Sequence, residues 1–325
     1  ALGAGLHTGD INGFLQMDRN PDSTGWWWSC IAVADIHRIG LPYPFFIKMD
    51  DVEYGLRLRA AGVTLVIPIS FWVLHDDFDE KYSAAMQYFR FRNRWVLLAQ
   101  QQQIRDIPAF VSQYGQLVRD FIAGRKYEHA QLLLEAMRHF LKGPEHLIRN
   151  EKQILARVFH LVRNEKNSPL SQPAAQAPLV NELAKPASPR TQRLNRITIN
   201  NHFLPLRQQV TIDTTRPSHP TDCRRAQTVT YWNSLKGVGF SVTRNSRRAL
   251  SQMLQLRRLQ RQMPGRLEPV LTRYPQVKPY LTSAGFWANY GKFDAPLQLS
   301  PPPGETAALQ DMRHSLAQLQ RPRTI

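Results

Sequence analysis

The sequence predicts an α/β catalytic portion, followed by a helical region and a C-terminal extension of mixed α and β structure. Strand-like and helix-like patterns alternate over residues 25–75, whereas apolar residues recur at helical spacing over residues 79–164. After a stretch rich in Pro, Ala, Ser and Asn, polar and β-branched residues alternate over residues 191–232, which predicts short strands. The predicted segments are 1–100 (catalytic portion), 101–164 (helical region), 165–190 (linker or loop) and 191–325 (extension).

The catalytic portion is organised around residues 25–75. The aromatic and apolar run Trp26–Val33 predicts a buried strand. Ala34–Ile39 predicts a short helix that ends at Gly40, because glycine readily adopts the backbone conformation that ends helices.

A second helix and a second strand follow a cluster of carboxylates. Residues 52–61 place apolar side chains on one face and precede Gly62, which predicts a helix. Residues 63–68 predict a returning strand, and an extended segment then leads to His75. The predicted order is therefore strand, loop, acidic helix start, strand and histidine.

Asp50, Asp51 and Glu53 form the acidic cluster at the start of the second helix. Asp50 and Glu53 have the spacing of a capping box, whose side chains satisfy free backbone amides, so a purely structural role is one interpretation. Asp51 is not needed for such a box. A second carboxylate beside Asp50 raises the pKa of one of the two by charge repulsion, which suits a general base.

His75 and the tryptophans each have two interpretations. His75, followed by two aspartates, is either a structural histidine or a metal ligand with an orienting carboxylate. Trp26, Trp27 and Trp28 alternate sides on a strand, so at least one belongs to the core. An exposed member offers a platform for a sugar ring.

The same residues carry a family resemblance. Four motifs follow one another between residues 25 and 94: Gly-Trp-Trp, Ile-Gly-Leu-Pro-x-Pro-Phe-Phe-Ile-Lys-x-Asp-Asp-x-Glu-Tyr-Gly-Leu-Arg, Leu-His, and Tyr-Phe-x-x-Arg-Asn-Arg. This pattern resembles the catalytic half of family 2 glycosyltransferases and, more narrowly, the bacterial galactofuranosyltransferases that polymerise cell-wall galactan. The resemblance, strongest over residues 22–100, implies a partial GT-A-like (Rossmann-like) core in the catalytic portion.

The resemblance also implies a role for each side chain. Asp51 corresponds to the catalytic base, and His75 corresponds to a ligand of a divalent metal, Mn or Mg. The paired tryptophans of the family line the pocket for donor and acceptor. Because this chain has three consecutive tryptophans, the pair corresponds either to the first two or to the last two of them. The predicted substrate-binding residues are Trp26, Trp27, Asp50 and Glu53.

The implied reaction is the inverting transfer of a sugar, galactofuranose in the narrower family, from a UDP-sugar donor to a hydroxyl of a glycan or glycolipid acceptor. Family members hold the nucleotide with an N-terminal half that carries an Asp-x-Asp segment, and no such segment precedes Trp26. We therefore expect this chain to be the C-terminal part of a longer enzyme and to be inactive by itself.

The charge of the chain supports a competing hypothesis. Its 42 Lys and Arg against 25 Asp and Glu give a net charge of +17 over 325 residues, which favours an anionic partner. A module that binds nucleic acid or another acidic polymer fits this charge but does not explain the acidic cluster. No zinc spacing or RNA-binding signature is present, so we expect no nucleic-acid partner. A structural or assembly role, with self-association into homo-oligomers, is the other alternative.

A basic helix bears on localisation. Residues 243–263 predict an amphipathic helix that ends at Pro264-Gly265 and suits an anionic membrane surface, with a packed helix and an exposed basic face as the alternative. The longest apolar run, residues 63–74, is too short to span a bilayer. The two distant cysteines suit a reducing compartment. We expect a cytoplasmic protein, peripheral on the inner face of the plasma membrane.

Overall fold

The computed structural model describes residues 21, 23–66, 84–162, 168–169, 189–205, 208–215 and 218–290. The chain divides into two compact units, which we describe separately. The first comprises Ala1–Glu80 and Pro275–Ile325, and the second comprises Lys81–Tyr274. The segment boundaries drawn from the sequence differ from this division and stay predictions.

The first unit contains two short helices early in the chain, α1 (Val33–Ile39) and α2 (Asp50–Ala60). Both helices were predicted, and the structure confirms them with slightly different bounds. Each is followed by a glycine with a left-handed backbone, Gly40 at φ +83° and Gly62 at φ +80°. Glycine adopts this conformation without steric penalty, which explains why both helices end where they do.

A small apolar core surrounds α2. Buried and half-buried apolar side chains form it: Tyr54, Leu58 and Leu65, with Trp26, Ile31, Ile39 and Val63 packed against them. The rings of Trp26 and Tyr54 meet edge-on, with their centroids 5.4 Å apart. The core therefore ties the tryptophan segment to the helix that carries the acidic cluster.

The strand predicted over Trp26–Val33 is wrong. Residues 26–28 form a turn and bend, and Val33 already begins α1. Residues 63–66, the described part of the second predicted strand, are not in a strand either. Aromatic and β-branched residues favour strands only where a partner strand completes the hydrogen bonds, and here they pack against a helix instead.

The first unit also includes chain from its far end, namely the last residues of α9 (Ser246–Leu281), from Pro275 onward, and α10 (Ala284–Tyr290). This segment holds the loop between α1 and α2. The Leu41 amide donates to the Thr282 carbonyl over 2.8 Å, and Nε1 of Trp287 donates to the Pro42 carbonyl over 2.9 Å.

The second unit begins, in its described part, with five helices. They are α3 (Ala84–Gln100), α4 (Ile107–Ala123), α5 (Tyr127–Phe140), α6 (Pro144–Arg149) and α7 (Glu151–Leu161). The first three confirm predicted helices. The sequence pattern also predicts a single helix over residues 145–163. The structure divides it into α6 and α7, because Asn150 ends the first and begins the second.

A sheet follows in the second unit, with the order β1-β4-β3-β2 among its described strands. The strands are β1 (Ser168–Pro169), β2 (Gln208–Asp213), β3 (Ala226–Asn233) and β4 (Val238–Thr243). β2 pairs with β3 in parallel, and the other two pairs are antiparallel. β2 and β3 confirm predicted strands, whereas β4 was not predicted.

The alternation of polar and β-branched residues over 196–199 predicts a strand, and this prediction is wrong. Helix α8 (Pro189–Ile197) covers half of that range, and residues 198–204 continue as turns and a bend. A local alternation of polar and β-branched residues is too short here to outweigh the helical context. Most of the predicted linker, residues 165–190, lies outside the described residues.

The long helix α9 is continuous, so the helix end predicted at Pro264-Gly265 is wrong. A proline inside a helix costs about 3 kcal/mol. Buried side chains recur on one side of α9 before and after this point: Leu256, Leu259, Met263, Leu267 and Val270. Their burial stabilises the helix more than Pro264 destabilises it. No described helix combines the length and apolar character that a bilayer span requires.

Candidate active site

The start of α2 brings three of the predicted site residues together. Asp50 and Asp51 occupy its first two positions and are partly exposed, whereas Glu53 is fully buried. The predicted metal ligand His75 lies outside the described residues. The candidate site is therefore built around two adjacent carboxylates at a helix N-terminus, where free amides and the helix dipole stabilise negative charge.

Met49, rather than Asp50, caps α2. Its backbone is left-handed with φ 70°, it makes no side-chain capping bond, and the preceding Lys48 is also left-handed with φ 68°. The capping box predicted for Asp50 and Glu53 is therefore wrong, because Asp50 already lies within the first turn. A left-handed backbone costs a residue other than glycine about 1–2 kcal/mol, and such strain is concentrated at functional sites.

Asp51 is a partly buried carboxylate with a raised pKa. Its Oδ1 accepts a hydrogen bond from the Val52 amide over 2.8 Å. Burial raises the pKa of Asp51 above its ordinary value, and the neighbouring charge of Asp50 raises it further. The Val52 amide and the charge of Lys48 act in the opposite direction without cancelling the rise. A raised pKa makes this carboxylate a stronger base than an exposed aspartate.

Glu53 lies in a buried ion cluster. Its Oε1 lies 2.8 Å from Nε of Arg57 and 3.3 Å from Nζ of Lys278, and its Oε2 accepts from Nη2 of Arg57 over 3.0 Å. Burial lowers the pKa of Lys278, and the charge of Glu53 opposes that change. This enclosure favours a positioning role for Glu53, and its assignment to substrate binding stays a prediction.

Arg57 connects this cluster to the loop before the acids. Its Nη1 donates to the Ile39 carbonyl over 2.7 Å, and its Nη2 donates to the Leu41 carbonyl over 2.8 Å. The Tyr54 hydroxyl donates to the Gly40 carbonyl over 3.0 Å. Residues 39–41 are therefore bound to the same helix that presents Asp51.

Sequence reasoning missed both cations of the cluster. Arg57 follows Glu53 by one helical turn, and this spacing is typical of an ion pair, so a local signal was present. Lys278 belongs to a distant helix, and nothing in the local sequence connects it with Glu53.

The tryptophans differ in exposure. Trp26 packs on Tyr54, whereas Trp27 and Trp28 are 52% and 49% exposed. The predicted pair Trp26 and Trp27 is therefore split between core and surface. Trp27 and Trp28 form the exposed pair, one position later in the sequence than the predicted pair. The third tryptophan had left this one-position shift open.

The motif around Tyr88 belongs to the core of the second unit. Tyr88, Phe89 and Asn93 are fully buried, and the Arg92 guanidinium lies over the Tyr88 and Phe89 rings at 5.4 and 5.3 Å from their centroids. Nε of Arg92 donates to Oδ1 of Asn93 over 2.8 Å. These contacts give the motif a structural explanation.

A metal centre is not assembled by the described residues. They contain no group of three or more His, Cys, Asp or Glu side chains that is suited to hold a metal ion.

Comparisons with known proteins bear on this site. No family model matches the chain. The chain is 29% identical over 158 residues to galactofuranosyltransferase GlfT2 of Mycobacterium tuberculosis (strain ATCC 25618 / H37Rv), across 47% of this chain and 25% of that protein. It is 30% identical over 128 residues to GlfT2 of Mycolicibacterium smegmatis (strain ATCC 700084 / mc(2)155), across 39% of this chain and 20% of that protein.

The similarity supports a galactofuranosyltransferase-like relationship. It also supports a glycosyltransferase-like function at the coarse level. The matched part of the chain corresponds to a quarter or less of each relative's length, so the donor, the acceptor and the chemistry belong to a proposal.

Proposed function

We propose that residues 23–66 activate the acceptor in a galactofuranosyltransferase that uses a UDP-sugar donor. The acceptor in this proposal is a hydroxyl group of a cell-wall or cell-surface glycan or glycolipid. The similarity to GlfT2 supports the class of reaction. The arrangement of residues at the start of α2 supports the assignment of roles.

One observation carries the proposal: the raised pKa of Asp51 beside a second carboxylate at a partly exposed helix N-terminus. A base must reach the acceptor hydroxyl, and its protonated form must be stable enough to hold the proton. Partial burial and the Asp50 charge supply the second property, and partial exposure permits the first.

The proposed step is a single displacement. The acceptor oxygen attacks the anomeric carbon of the donor as Asp51 takes the hydroxyl proton, and a new carbon–oxygen bond forms on the face opposite the nucleotide. The bond between the anomeric carbon and the diphosphate oxygen breaks, and UDP leaves with that electron pair. The product has the inverted anomeric configuration.

The exposed tryptophans supply a sugar platform in this proposal. Trp27 presents an aromatic surface, while Trp26 fixes the segment against Tyr54. Holding a sugar ring on such a surface reduces the entropy lost when two substrates meet.

We also propose a divalent metal, Mn or Mg, with His75 among its ligands. Such an ion stabilises the charge on a leaving diphosphate. Because the described residues do not by themselves assemble a metal centre, no step above depends on the ion.

The direct test is a transfer assay with the full-length protein, UDP-galactofuranose and a synthetic galactofuranoside acceptor. We expect a lengthened glycan with inverted configuration, detected by mass spectrometry and NMR. UDP-glucose and UDP-galactopyranose serve as control donors. Transfer from a control donor with none from UDP-galactofuranose would refute the proposed donor, and absence of transfer from all three would refute the proposed function.

A further inference from the structure

Helix α9 presents a basic face with exposed leucines in the second unit. Leu250 and Leu254 are 45% and 57% exposed, although leucine is usually buried. Exposed arginines flank them at intervals of one helical turn, which places all six side chains on one face. We call this set the arginine–leucine face: Arg247, Leu250, Leu254, Arg257, Arg258 and Arg261.

The opposite side of the helix is fixed within the second unit. Nε2 of Gln252 donates to the Tyr127 carbonyl over 2.7 Å, and Nη2 of Arg138 donates to Oε1 of Gln255 over 2.8 Å. The buried stripe of α9 supplies the apolar contacts on that side: Ala249, Leu256, Leu259 and Met263. The exposure of the arginine–leucine face therefore follows from the fixed rotation of the helix.

The charged residues in the sequence around the arginine–leucine face are all basic. No acidic residue occurs in the sequence between Asp222 and Glu268. Within the described part of the chain, none of the four arginines of the face forms an ion pair with a carboxylate. An anionic surface would supply the missing counter-charge.

We infer that the arginine–leucine face docks on an anionic lipid bilayer. Each arginine near such a surface strengthens binding about fivefold, and leucines on the same face insert among the acyl chains. Nucleic acid fits less well, because leucine neither stacks on bases nor bonds to phosphate and residues 246–267 contain no aromatic side chain. The inference does not depend on the proposed sugar transfer.

Vesicle co-sedimentation of the purified protein tests the inference. We expect binding to vesicles of equal parts phosphatidylcholine and phosphatidylglycerol at low salt, and little binding to pure phosphatidylcholine. The double variant Arg257→Gln/Arg258→Gln should bind about 30-fold more weakly. Leu250→Gln/Leu254→Gln keeps every charge and should bind at least about tenfold more weakly.

The matched control is Arg149→Gln/Arg157→Gln, which removes two exposed charges from other helices of the same unit and should change binding less than about threefold. Circular dichroism should show that all variants keep their helices. Equal binding to neutral and anionic vesicles, an equal loss in the control, or no loss in the leucine variant would each overturn the inference. So would salt-sensitive binding to duplex DNA that depends on Arg257 and Arg258, with no binding to vesicles.

Discussion

Nζ of Lys278 lies 3.3 Å from Oε1 of Glu53, although the two residues are far apart in the sequence. Glu53 has no solvent exposure, and its second cation is Arg57, which also binds the loop before the acidic cluster. The end of α9 thus helps to fix the helix that presents Asp51.

Glu53→Gln should lower the free energy of unfolding of the first unit by about 3 kcal/mol, because it leaves Arg57 and Lys278 without their counter-charge. Lys278→Met should lower the free energy of unfolding by about 1 kcal/mol, since the lysine side chain is 19% exposed. The double variant should cost less than the sum of the two. Hydrogen exchange of the Leu41 amide provides a local readout, and strictly additive costs would contradict the cluster.

Gly40 and Gly62 form a matched pair for the packing of the same loop. Both have a left-handed backbone, but a Cβ at Gly40 would lie 2.7 Å from the Thr282 carbonyl oxygen, and one at Gly62 meets nothing within 4 Å. Gly62→Ala should cost about 1 kcal/mol from backbone strain alone. Gly40→Ala should cost about 1–3 kcal/mol more. Equal losses in urea unfolding would show that Thr282 does not approach the loop.

His202 should make the second unit sensitive to acid. Its Nδ1 donates to the Ile199 carbonyl, so Nε2 of the neutral ring accepts a hydrogen bond from the Tyr127 hydroxyl over 2.8 Å. That hydroxyl in turn accepts from the Asn245 amide. Burial, helped by the charges of Arg125 and Arg244, lowers the pKa of His202 from 6.5 to about 4. The folded state therefore favours the neutral form of His202.

The unfolded and folded states bind different numbers of protons at His202 in this pH range. Between pH 6.5 and about 4 the unfolded chain takes up a proton at His202 and the folded protein does not, so stability falls as the pH drops. This residue should remove about 2 kcal/mol between pH 7 and pH 5. In urea unfolding at both pH values, His202→Gln should lose this difference, whereas the exposed control His160→Gln should keep it. An unchanged pH dependence in His202→Gln would contradict the assignment.

Trp26 and Trp27 should respond differently to truncation. Trp26→Ala removes the edge contact with Tyr54 and should lower the free energy of unfolding by about 2 kcal/mol. Trp27→Ala should hardly change stability, because its side chain is 52% exposed. It should instead raise the KM for the acceptor about tenfold. The reverse pattern in melting and kinetic measurements would assign the sugar platform to Trp26.

Much of the helical structure was predictable because it depends on local patterns. Helices α3, α4 and α5 follow their apolar spacing, and Gly40 and Gly62 mark the ends of α1 and α2. The strand predicted at the tryptophans failed because local β propensity has no effect where no partner strand pairs with it. The helix end predicted at Pro264 is wrong because buried contacts with residues distant in the sequence stabilise α9 across the proline.

The candidate site was predictable in part for the same reason. The adjacency of Asp50 and Asp51 is visible in the sequence, whereas buried Glu53 also pairs with Lys278, which no local pattern connects with it. The capping role failed because Met49 adopts the left-handed conformation that begins the helix. His75 lies outside the described residues, so its role stays a prediction.

In the proposed reaction Asp51 is the base, and Asp50 is the charged residue beside it. Asp50→Asn removes the charge that helps to raise the pKa of Asp51, so the acid limb of the kcat/KM profile should move to lower pH. Its turnover should fall less than that of Asp51→Asn, because the proton acceptor remains.

The most direct measurement is the turnover of Asp51→Asn in the full-length protein, beside Asp50→Asn and with melting temperature as the control. Asp51→Asn keeps the shape of the side chain and loses its basicity, so kcat should fall by roughly 10²–10⁴-fold. Folding and UDP binding should stay close to those of the unaltered protein. Near-normal turnover in Asp51→Asn with an inactive Asp50→Asn would move the base by one residue, and activity in both variants would contradict the account.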